Sequence, residues 1–470
     1  MNKQAIFLFL LILSGTLMGQ SVQSNEQGFP FVKNFSAADY KAHAQNFSIV
    51  RDKAGILYFG NFAGVLQYDG EYWKLIPTEK MTKVSALGID SLGNIYVGAF
   101  GEIGMLAKNT RGKTAFKSLI TSDATGSTSF GDVLQVFPTR EGVYFITKKN
   151  IFRWHREKME TLKPEYEIIS GFYVNKTLYL QVKDRGLMVF RHDKMIPVPK
   201  GEIVSGAIEI KAMLPYPKNK ILIATGTQGL YMLDSDGVKD FITQSDELFM
   251  KNLITTGVAL SDGSFAIGTS RKGVVIIYPD GRVKQFIDKK AALRNENVQA
   301  LFADDNNILW AALNNGIAMI GIPSSLSFFD DKSGLNGAVN HIMRHEGRLY
   351  VSTYQGLYYY DGPSFGFQSI PEIITACWSV VPFGKNLVAA TSQGVFLISN
   401  LHAKLIKDGF AISLAKDASD PSSVYVGEMS GFYCLRNKNG AWTSRELANP
   451  EEEINDLIQD NNGYIWGSTL

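Results

Sequence analysis

The sequence predicts an all-β protein, a seven-bladed β-propeller followed by an incomplete second β-propeller. Two observations carry this prediction. Residues 46–77 hold four short apolar runs separated by Asp, Asn and Gly, residues that accept the positive φ angles of tight hairpin turns. The pattern then recurs with gaps of 36 to 46 residues, which is the period of a four-stranded propeller blade.

The first repeat has the spacing of one complete blade. Its predicted strands cover residues 47–51, 56–60, 65–68 and 72–76, and the turns between them are rich in Asp and Gly. None of these runs is long enough for a helix of ordinary length. Second strands in most repeats end in Gly, Ala or Thr, and we predict that neighbouring blades crowd there.

The turn before the third strand sets the register of ten repeats. Nine copies carry Gly and one carries Asn, both of which tolerate left-handed backbone. The ten positions are Gly64, Gly104, Asn150, Gly186, Gly229, Gly273, Gly316, Gly356, Gly394 and Gly431. We therefore expect a fixed left-handed turn at each of them.

The repeats divide the chain into three predicted regions. Residues 1–19 read as a signal peptide, because Lys3 precedes an apolar core that is too short to span a membrane of about 30 Å. The first propeller is assigned to residues 20–325 and the partial second propeller to 326–470. The eleventh repeat stops inside its motif, so we interpret the sequence as the N-terminal fragment of a longer protein.

The sequence leaves two questions open, the role of residues 30–35 and the state of the two cysteines. Residues 30–35 either complete the last blade of the first ring or form an arm across its surface. Cys377 and Cys434 lie at different depths in successive repeats, so two separate buried thiols are favoured over a disulfide.

Composition excludes some classes of partner. The chain has 47 basic and 45 acidic residues with both signs interspersed. No basic stripe or charged tail indicates binding to nucleic acid or to an anionic membrane. After the signal peptide, no stretch is apolar enough to span a membrane, so the mature chain is predicted to be exported.

The search for catalytic chemistry finds little. His341 and His345 could form a pair of metal ligands, but no third ligand is near them in the sequence. Asp456 and Asp460 follow three glutamates and could bind Ca²⁺, but carboxylates beside turns are more often turn residues. No nucleophile elbow, phosphate loop or zinc-helix motif is present. We predict no catalytic residue, no metal site and no cofactor.

A binding site is better predicted from the architecture. Turns between second and third strands share a face with the connections between blades, so their residues converge at one mouth. Their chemical variety suits a small polar ligand such as an oligosaccharide, although plain exposed loop tips would give the same pattern. The candidates are Asn61, Phe62, Phe100, Glu102, Arg185, Gln228, Arg271, Asn314, Tyr354 and Gln393, with Lys148 and Met429 at equivalent turns.

The last repeat carries a family resemblance. Residues 454–469 hold an apolar strand, then Asp460-x-x-Gly463, then an aromatic strand that ends in Gly-Ser-Thr. This resembles the two-component regulator propeller repeat, and residues 52–66, 90–106, 261–274 and 349–357 match the same pattern. Repeats three and four lack its Asp-x-x-Gly turn, which leaves the blade boundaries between about 110 and 200 undefined.

The resemblance implies the periplasmic sensor half of Bacteroidetes regulators. In those regulators, two seven-bladed propellers precede an immunoglobulin-like domain, a membrane helix and a cytoplasmic output module. The resemblance therefore implies that this region contacts the downstream domains of the full-length chain. A homodimer is a further possible partner. The favoured function is a non-catalytic ligand-sensing region. A secreted propeller enzyme, such as a lyase or glycosidase, and a non-sensing interaction scaffold remain as alternatives.

Overall fold

The computed structural model describes residue 26 and residues 28–120, 130–306, 308–322, 326–362, 366–449 and 452–469. The predicted signal peptide, residues 1–19, lies outside these ranges. The chain forms two compact units. The first unit is Phe29–Phe328, and the second unit comprises Phe329–Leu470 together with the residues before Phe29.

The first unit consists of seven antiparallel four-stranded sheets. Its strands in chain order are β1 (Val32–Phe35), β2 (Asn46–Arg51), β3 (Leu57–Asn61), β4 (Gly64–Tyr68), β5 (Trp73–Ile76), β6 (Val84–Ile89), β7 (Ile95–Ala99), β8 (Glu102–Lys108), β9 (Thr114–Ser118), β10 (Val133–Thr139), β11 (Gly142–Thr147), β12 (Ile151–His155), β13 (Lys158–Leu162), β14 (Ile168–Val174), β15 (Thr177–Val182), β16 (Gly186–Arg191), β17 (Lys194–Pro197), β18 (Ile210–Tyr216), β19 (Lys220–Thr225), β20 (Leu230–Asp234), β21 (Gly237–Asp240), β22 (Ile254–Ala259), β23 (Phe265–Thr269), β24 (Val274–Ile277), β25 (Val283–Ile287), β26 (Val298–Ala303), β27 (Ile308–Leu313) and β28 (Gly316–Gly321).

The N-terminal strand closes the ring of the first unit. β1 pairs antiparallel with β28, so the seventh sheet has the order β1-β28-β27-β26. The first strands of successive sheets are neighbours, and β2 of the first sheet contacts β26 of the seventh. The all-β prediction and the seven-bladed first propeller are confirmed, and of the two roles left open for residues 30–35 the structure shows ring completion.

The second unit contains three four-stranded sheets and a final hairpin. Its strands are β29 (Val339–His345), β30 (Arg348–Thr353), β31 (Gly356–Tyr360), β32 (Phe367–Ser369), β33 (Cys377–Phe383), β34 (Asn386–Thr391), β35 (Gly394–Ser399), β36 (His402–Asp408), β37 (Ala411–Lys416), β38 (Ser423–Glu428), β39 (Gly431–Lys438), β40 (Ala441–Ala448), β41 (Asp456–Gln459) and β42 (Ile465–Ser468). This is the predicted partial second propeller.

Helical structure in the described residues is confined to short segments in the connections. These are α1 (Ala37–Tyr40), α2 (Asp246–Asn252) and the 3₁₀ turns Gly201–Val204 and Asp331–Ser333. None of the described helices has the length and apolarity needed to cross a bilayer.

The structure corrects the predicted turn register at two positions. Gly104 lies inside β8, where a Cβ atom would meet the ring of Phe116, and the turn glycine of that sheet is Gly101 with φ 69°. Asn150 is not left-handed. Its N–H instead donates to Oγ1 of Thr147 at 2.9 Å. The other eight positions have the expected positive φ.

Small residues at the ends of second strands make room for the next sheet, as predicted. A Cβ atom on Gly98 would lie 2.4 Å from Cγ1 of Val133, the residue that opens the following sheet. Gly60 meets the backbone oxygen of Val84 at 2.7 Å in the same way. Methyl groups at these positions would overpack the seam between blades.

Both cysteines are free thiols, as predicted. Burial raises the pKa of Cys377 far above its usual value. Cys434 is only partly buried, so the prediction that both thiols are buried is wrong for this residue.

Candidate ligand-binding mouths

In nine of the ten described four-stranded sheets, a repeated backbone hydrogen bond fastens the turn between the second and third strands to the residue that precedes the first strand. Phe62 N donates to Gln45 O at 3.3 Å, and Phe100 N donates to Lys83 O at 2.9 Å. In the second unit, Tyr354 N donates to Ala338 O at 3.2 Å. Turns and connections therefore share one face of each unit. We call this face the mouth, and the residues before the first strands the rim positions.

Threonine side chains brace five of these turns. In each, the Thr at the end of the second strand is fully buried and its Oγ1 donates to a backbone carbonyl across the turn. For Thr225 the acceptor is Gly229 O at 2.9 Å, and Oγ1 also accepts from Gln228 N at 3.1 Å. The five residues are Thr147, Thr225, Thr269, Thr353 and Thr391. The turn backbone is thus fixed while its outward side chains are free to vary.

Two of the predicted site residues are internal braces. Asn61 is fully buried, and its Nδ2 donates to His43 O at 2.6 Å and to Asn46 Oδ1 at 2.8 Å. Glu102 is 6% exposed and accepts from Lys80 N at 3.0 Å and from the hydroxyl of Thr82. Both side chains hold the connections between sheets, so neither is available to a ligand.

Three predicted residues of the first unit lie exposed beside an aromatic or charged neighbour. Phe62 is 46% exposed and packs on the ring of His43 at 4.6 Å. Arg185 stacks on Tyr166, with its guanidinium carbon 4.5 Å from the ring centre and Nη2 donating to the phenol at 2.6 Å. Lys148 is exposed and lies 4.0 Å from Glu167.

The remaining first-unit predictions also fall on the mouth. Phe100 is 55% exposed, and Gln228 and Arg271 are exposed turn residues. Asn314 is half-buried, and its Oδ1 accepts from Gln45 Nε2 at 2.6 Å. The structure therefore brings these side chains to one face, each on its own sheet.

Sequence reasoning missed the rim positions of the first unit. Six of the seven rim residues are polar, and several of them form ion pairs with neighbouring side chains. Lys83 Nζ lies 2.8 Å from Asp132 Oδ1, and Lys211 Nζ lies 2.7 Å from Glu209 Oε1. The seven rim residues are Gln45, Lys83, Asp132, Glu167, Glu209, Leu253 and Asn297. A polar residue directly before the buried residue that opens each sheet was the sequence signal.

The mouth of the second unit is chemically different. Its turns present Tyr354, which is 53% exposed, Gln393, which is exposed, and Met429, which is 44% exposed. The one carboxylate at these turns, Glu428, is 7% exposed and paired with Lys407. The exposed side chains of these three turns are therefore uncharged, whereas Glu453, the rim residue before the final hairpin, gives this mouth a carboxylate.

A separate cleft of about 640 Å³ lies in the first unit at the turns between first and second strands, which is the face away from the mouth. Two of its acidic groups are committed to local structure. Asp90 accepts from the backbone of its own turn, and Glu141 accepts from the phenol of Tyr144 at 3.0 Å. This cleft does not include any predicted site residue.

In the part of the chain that the structure describes, no three His, Cys, Asp or Glu residues are placed to hold a metal ion. Asp460 acts as a turn residue, accepting from Asn462 N and Tyr464 N at 2.9 Å each and from Trp466 Nε1 at 3.0 Å. Burial lowers the pKa of His341 on β29, against a smaller opposing effect of Asp456.

Comparisons with known proteins give structural matches only. No family model matches the sequence, and no curated protein is similar to it in sequence. The fold is similar to the extracellular domain of the hybrid two-component system BT3049 from B. thetaiotaomicron, with a TM-score of 0.56 and 15% identity over 94% of this chain and 70% of that one.

A second match is the extracellular domain of the one-component system BT4673 from the same organism, with a TM-score of 0.51 and 15% identity. It covers 95% of this chain, which spans 65% of the length of the BT4673 domain. The chain therefore shares its propeller fold with the extracellular domains of these Bacteroides signalling systems.

Proposed function

We propose that this chain is the extracytoplasmic, non-catalytic ligand-sensing region of a membrane-bound signal-transduction regulator. The observation that carries the proposal is the mouth of the first unit. There, seven sheets each contribute a turn and a rim residue to one face, and the pairing of β1 with β28 closes the ring beneath them. The fold that the chain shares with extracellular domains of signalling systems supports the same reading.

The chemistry of this mouth suits a small polar ligand such as an oligosaccharide. Exposed Phe62 and Phe100 offer apolar surface, Arg185 and Arg271 offer fixed positive charge, and Gln228 offers an amide. Ligand sites commonly combine aromatic surface with a few oriented polar groups. Because each side chain stands on a separate sheet, one ligand of several sugar units would contact several blades at once.

Titration calorimetry with the full chain tests this binding, using a panel of neutral and uronic-acid oligosaccharides. We expect at least one of these to bind, and Arg271→Ala and Phe100→Ala to weaken it by about tenfold each, as truncation of a binding hot spot does. Matched controls are Arg282→Ala and Leu92→Ala, which change exposed residues on the opposite face of the same two sheets. Failure of the whole panel, or equal losses in the controls, would reject the proposed mouth.

The regulator part of the proposal has its own test. The reading frame beyond the codon for Leu470 should encode a membrane-spanning helix followed by an output module. A stop codon directly after Leu470 would contradict a membrane-bound regulator while leaving the ligand-binding experiment untouched.

A further inference from the structure

The cleft of about 640 Å³ on the face away from the first unit's mouth is lined by three successive sheets. The second sheet contributes residues 89–91 and the third contributes residues 138–141. The fourth sheet contributes Tyr173, residues 176–178 and the end of β16 at residues 189–191. A volume of this size lies within the usual range for pockets that hold small ligands.

The chemistry of the turn between the first and second strands changes beside this cleft. Sheets three and four, whose repeats lack the Asp-x-x-Gly signature, carry Arg140 and Lys176 in that turn, with Glu141 beside Arg140. A cation therefore stands in each of the two turns that depart from the repeat. Sheets one, two, six and seven have an acid at the start of the turn, namely Asp52, Asp90, Asp262 and Asp304.

Three cations that line the cleft have no partner in the described part of the chain. Arg140, Lys176 and Arg191 are exposed, and none of their side chains makes a hydrogen bond or an ion pair with a residue that the structure describes. The fold itself therefore makes no visible use of these three charged groups.

The acids near these cations are bonded to other groups. Asp90 accepts four hydrogen bonds within its own sheet. Glu141 accepts from the phenol of Tyr144 at 3.0 Å. Asp193, just beyond the end of β16, pairs with Arg153 on the neighbouring sheet at 2.8 Å. The lining keeps more cations than carboxylates, and its unused donors all belong to the cations.

An apolar wall lies behind the charges. Leu178 and Phe190 line the cleft from buried positions. Tyr173 is 37% exposed, and its ring centre lies 6.4 Å from that of Phe137. Apolar walls lower the local dielectric constant, which strengthens the attraction of nearby cations for a negative ligand.

We propose that this cleft binds a small multivalent anion, held by Arg140, Lys176 and Arg191. Arginine presents paired N–H donors that match a carboxylate or a phosphate group, and lysine adds a point charge. Because carboxylates and phosphates share this chemistry, the test uses one probe of each kind. The site lies on the face opposite the mouth, so it stands whether or not the mouth binds a saccharide.

Calorimetric titration of the full chain with citrate and with myo-inositol hexakisphosphate, in a phosphate-free buffer, tests the cleft. We expect at least one of the two anions to bind. Arg140→Ala and Arg191→Ala should each weaken that binding by about tenfold, as loss of a hydrogen bond to a charged group does. Arg191→Lys should weaken it less than Arg191→Ala, because it keeps the charge and loses only the paired donors.

Glu141→Gln should change the affinity in the opposite direction. The amide keeps an acceptor for the phenol of Tyr144 and removes a negative charge from the cleft. Anion affinity should therefore rise by about two- to fivefold, the effect of one exposed charge. Misfolding would not produce such a gain, and an unchanged affinity in this variant would contradict the proposed site.

Arg111→Ala is the matched control for the two arginine variants. Arg111 is exposed in the turn between β8 and β9, on the same face of the first unit but outside the cleft. Its loss removes the same charge and should leave anion affinity unchanged. If neither anion binds, or if Arg111→Ala weakens binding as much as Arg140→Ala, the proposed site is wrong. Binding of only one of the two probes would support the site and identify the preferred group as carboxylate or phosphate.

Discussion

The carboxylate of Asp90 accepts a hydrogen bond from the phenol of Tyr96 at 3.2 Å, joining the first turn of a sheet to its second strand. The other oxygen of Asp90 accepts from Leu92 N and Asn94 N at 2.9 Å each. Asp52 repeats this arrangement with Tyr58, six residues later, and Asp460 repeats it with Trp466. The Asp-x-x-Gly signature is thus a turn whose acid is anchored to an aromatic residue.

We expect Asp90→Ala to destabilise the first unit by about 1.5–3 kcal/mol, the range for hydrogen bonds to a charged group. The reason is that four donors, two backbone N–H groups and the side chains of Asn94 and Tyr96, lose their acceptor at once. Differential scanning calorimetry measures the effect as a lower transition temperature. Ser91→Ala, at an exposed position of the same turn, is the control, and an equal loss in both variants would contradict an anchoring role for the acid.

The same tyrosines predict loss of stability in alkali. Burial and the adjacent carboxylates raise the pKa of Tyr58 and of Tyr96 to about 12, whereas an unfolded tyrosine has a pKa of about 10. Since the folded state holds these phenols protonated, their contribution is complete below a pH of about 10 and is lost as the pH rises towards 12.

Thermal unfolding measured between pH 9 and pH 12 checks this dependence, together with absorbance at 295 nm to follow phenol ionisation. Tyr96→Phe should unfold with a shallower pH dependence in this window, because one of the shifted groups is gone. A slope identical to that of the unchanged protein would show that Tyr96 ionises at the same pH in both states.

Acid should weaken the first unit through Asp262. Burial opposes ionisation of this carboxyl, but hydrogen bonds from Lys284 and Ser264 outweigh it and lower its pKa to about 2. A depressed pKa gives stability that is present above the unfolded value of about 3.9 and is lost as the pH falls towards 2. We expect Asp262→Asn to be less stable at neutral pH and less sensitive to acid, measured by thermal unfolding from pH 6 to pH 2. Parallel curves for both proteins would contradict this.

The seam between the second and third sheets offers a test of packing. Gly98 has no left-handed backbone, so Gly98→Ala changes only volume, and the new methyl would meet Val133. We expect a loss of about 1–3 kcal/mol from overpacking. Gly321→Ala, where the nearest atom is 4.0 Å away, should be close to neutral.

Adding Val133→Ala to Gly98→Ala should recover part of that loss, because the two residues are in contact and their effects couple. Unfolding in urea of the single and double variants measures the coupling. Strictly additive losses would mean that the seam tolerates the methyl in another way.

The strands could be predicted from sequence because each is short, β-rich and bounded by turn residues. The predicted turn position in the second sheet was wrong because Gly101 and Gly104 are three residues apart, and from the sequence either could serve as the turn residue. Only the pairing of Ala99 with Glu102 decides between them. Closure by β1 could not be derived locally either, since Val32 pairs with Ile320 across almost the whole unit.

The candidate site was predicted less completely, for the same physical reason. Turn residues could be placed on one face from topology, but whether they are free depends on connections that fold over them. The backbone of Lys80 covers Glu102, and the carbonyls of His43 and Gln45 cover Asn61.

Ring closure gives the last prediction. Phe35, at the end of β1, places its ring 5.3 Å from Trp73, 5.4 Å from Tyr68 and 6.1 Å from Trp310, so it joins the seventh sheet to the first. We expect Phe35→Ala to destabilise the first unit by about 3–5 kcal/mol, the usual cost of deleting a buried phenylalanine ring. Limited proteolysis and thermal unfolding should both detect the opened ring. Phe31→Ala, on the same arm but 51% exposed, should change little. If the two variants have the same stability, the aromatic contacts of Phe35 do not stabilise ring closure, and the backbone pairing of β1 with β28 alone accounts for it.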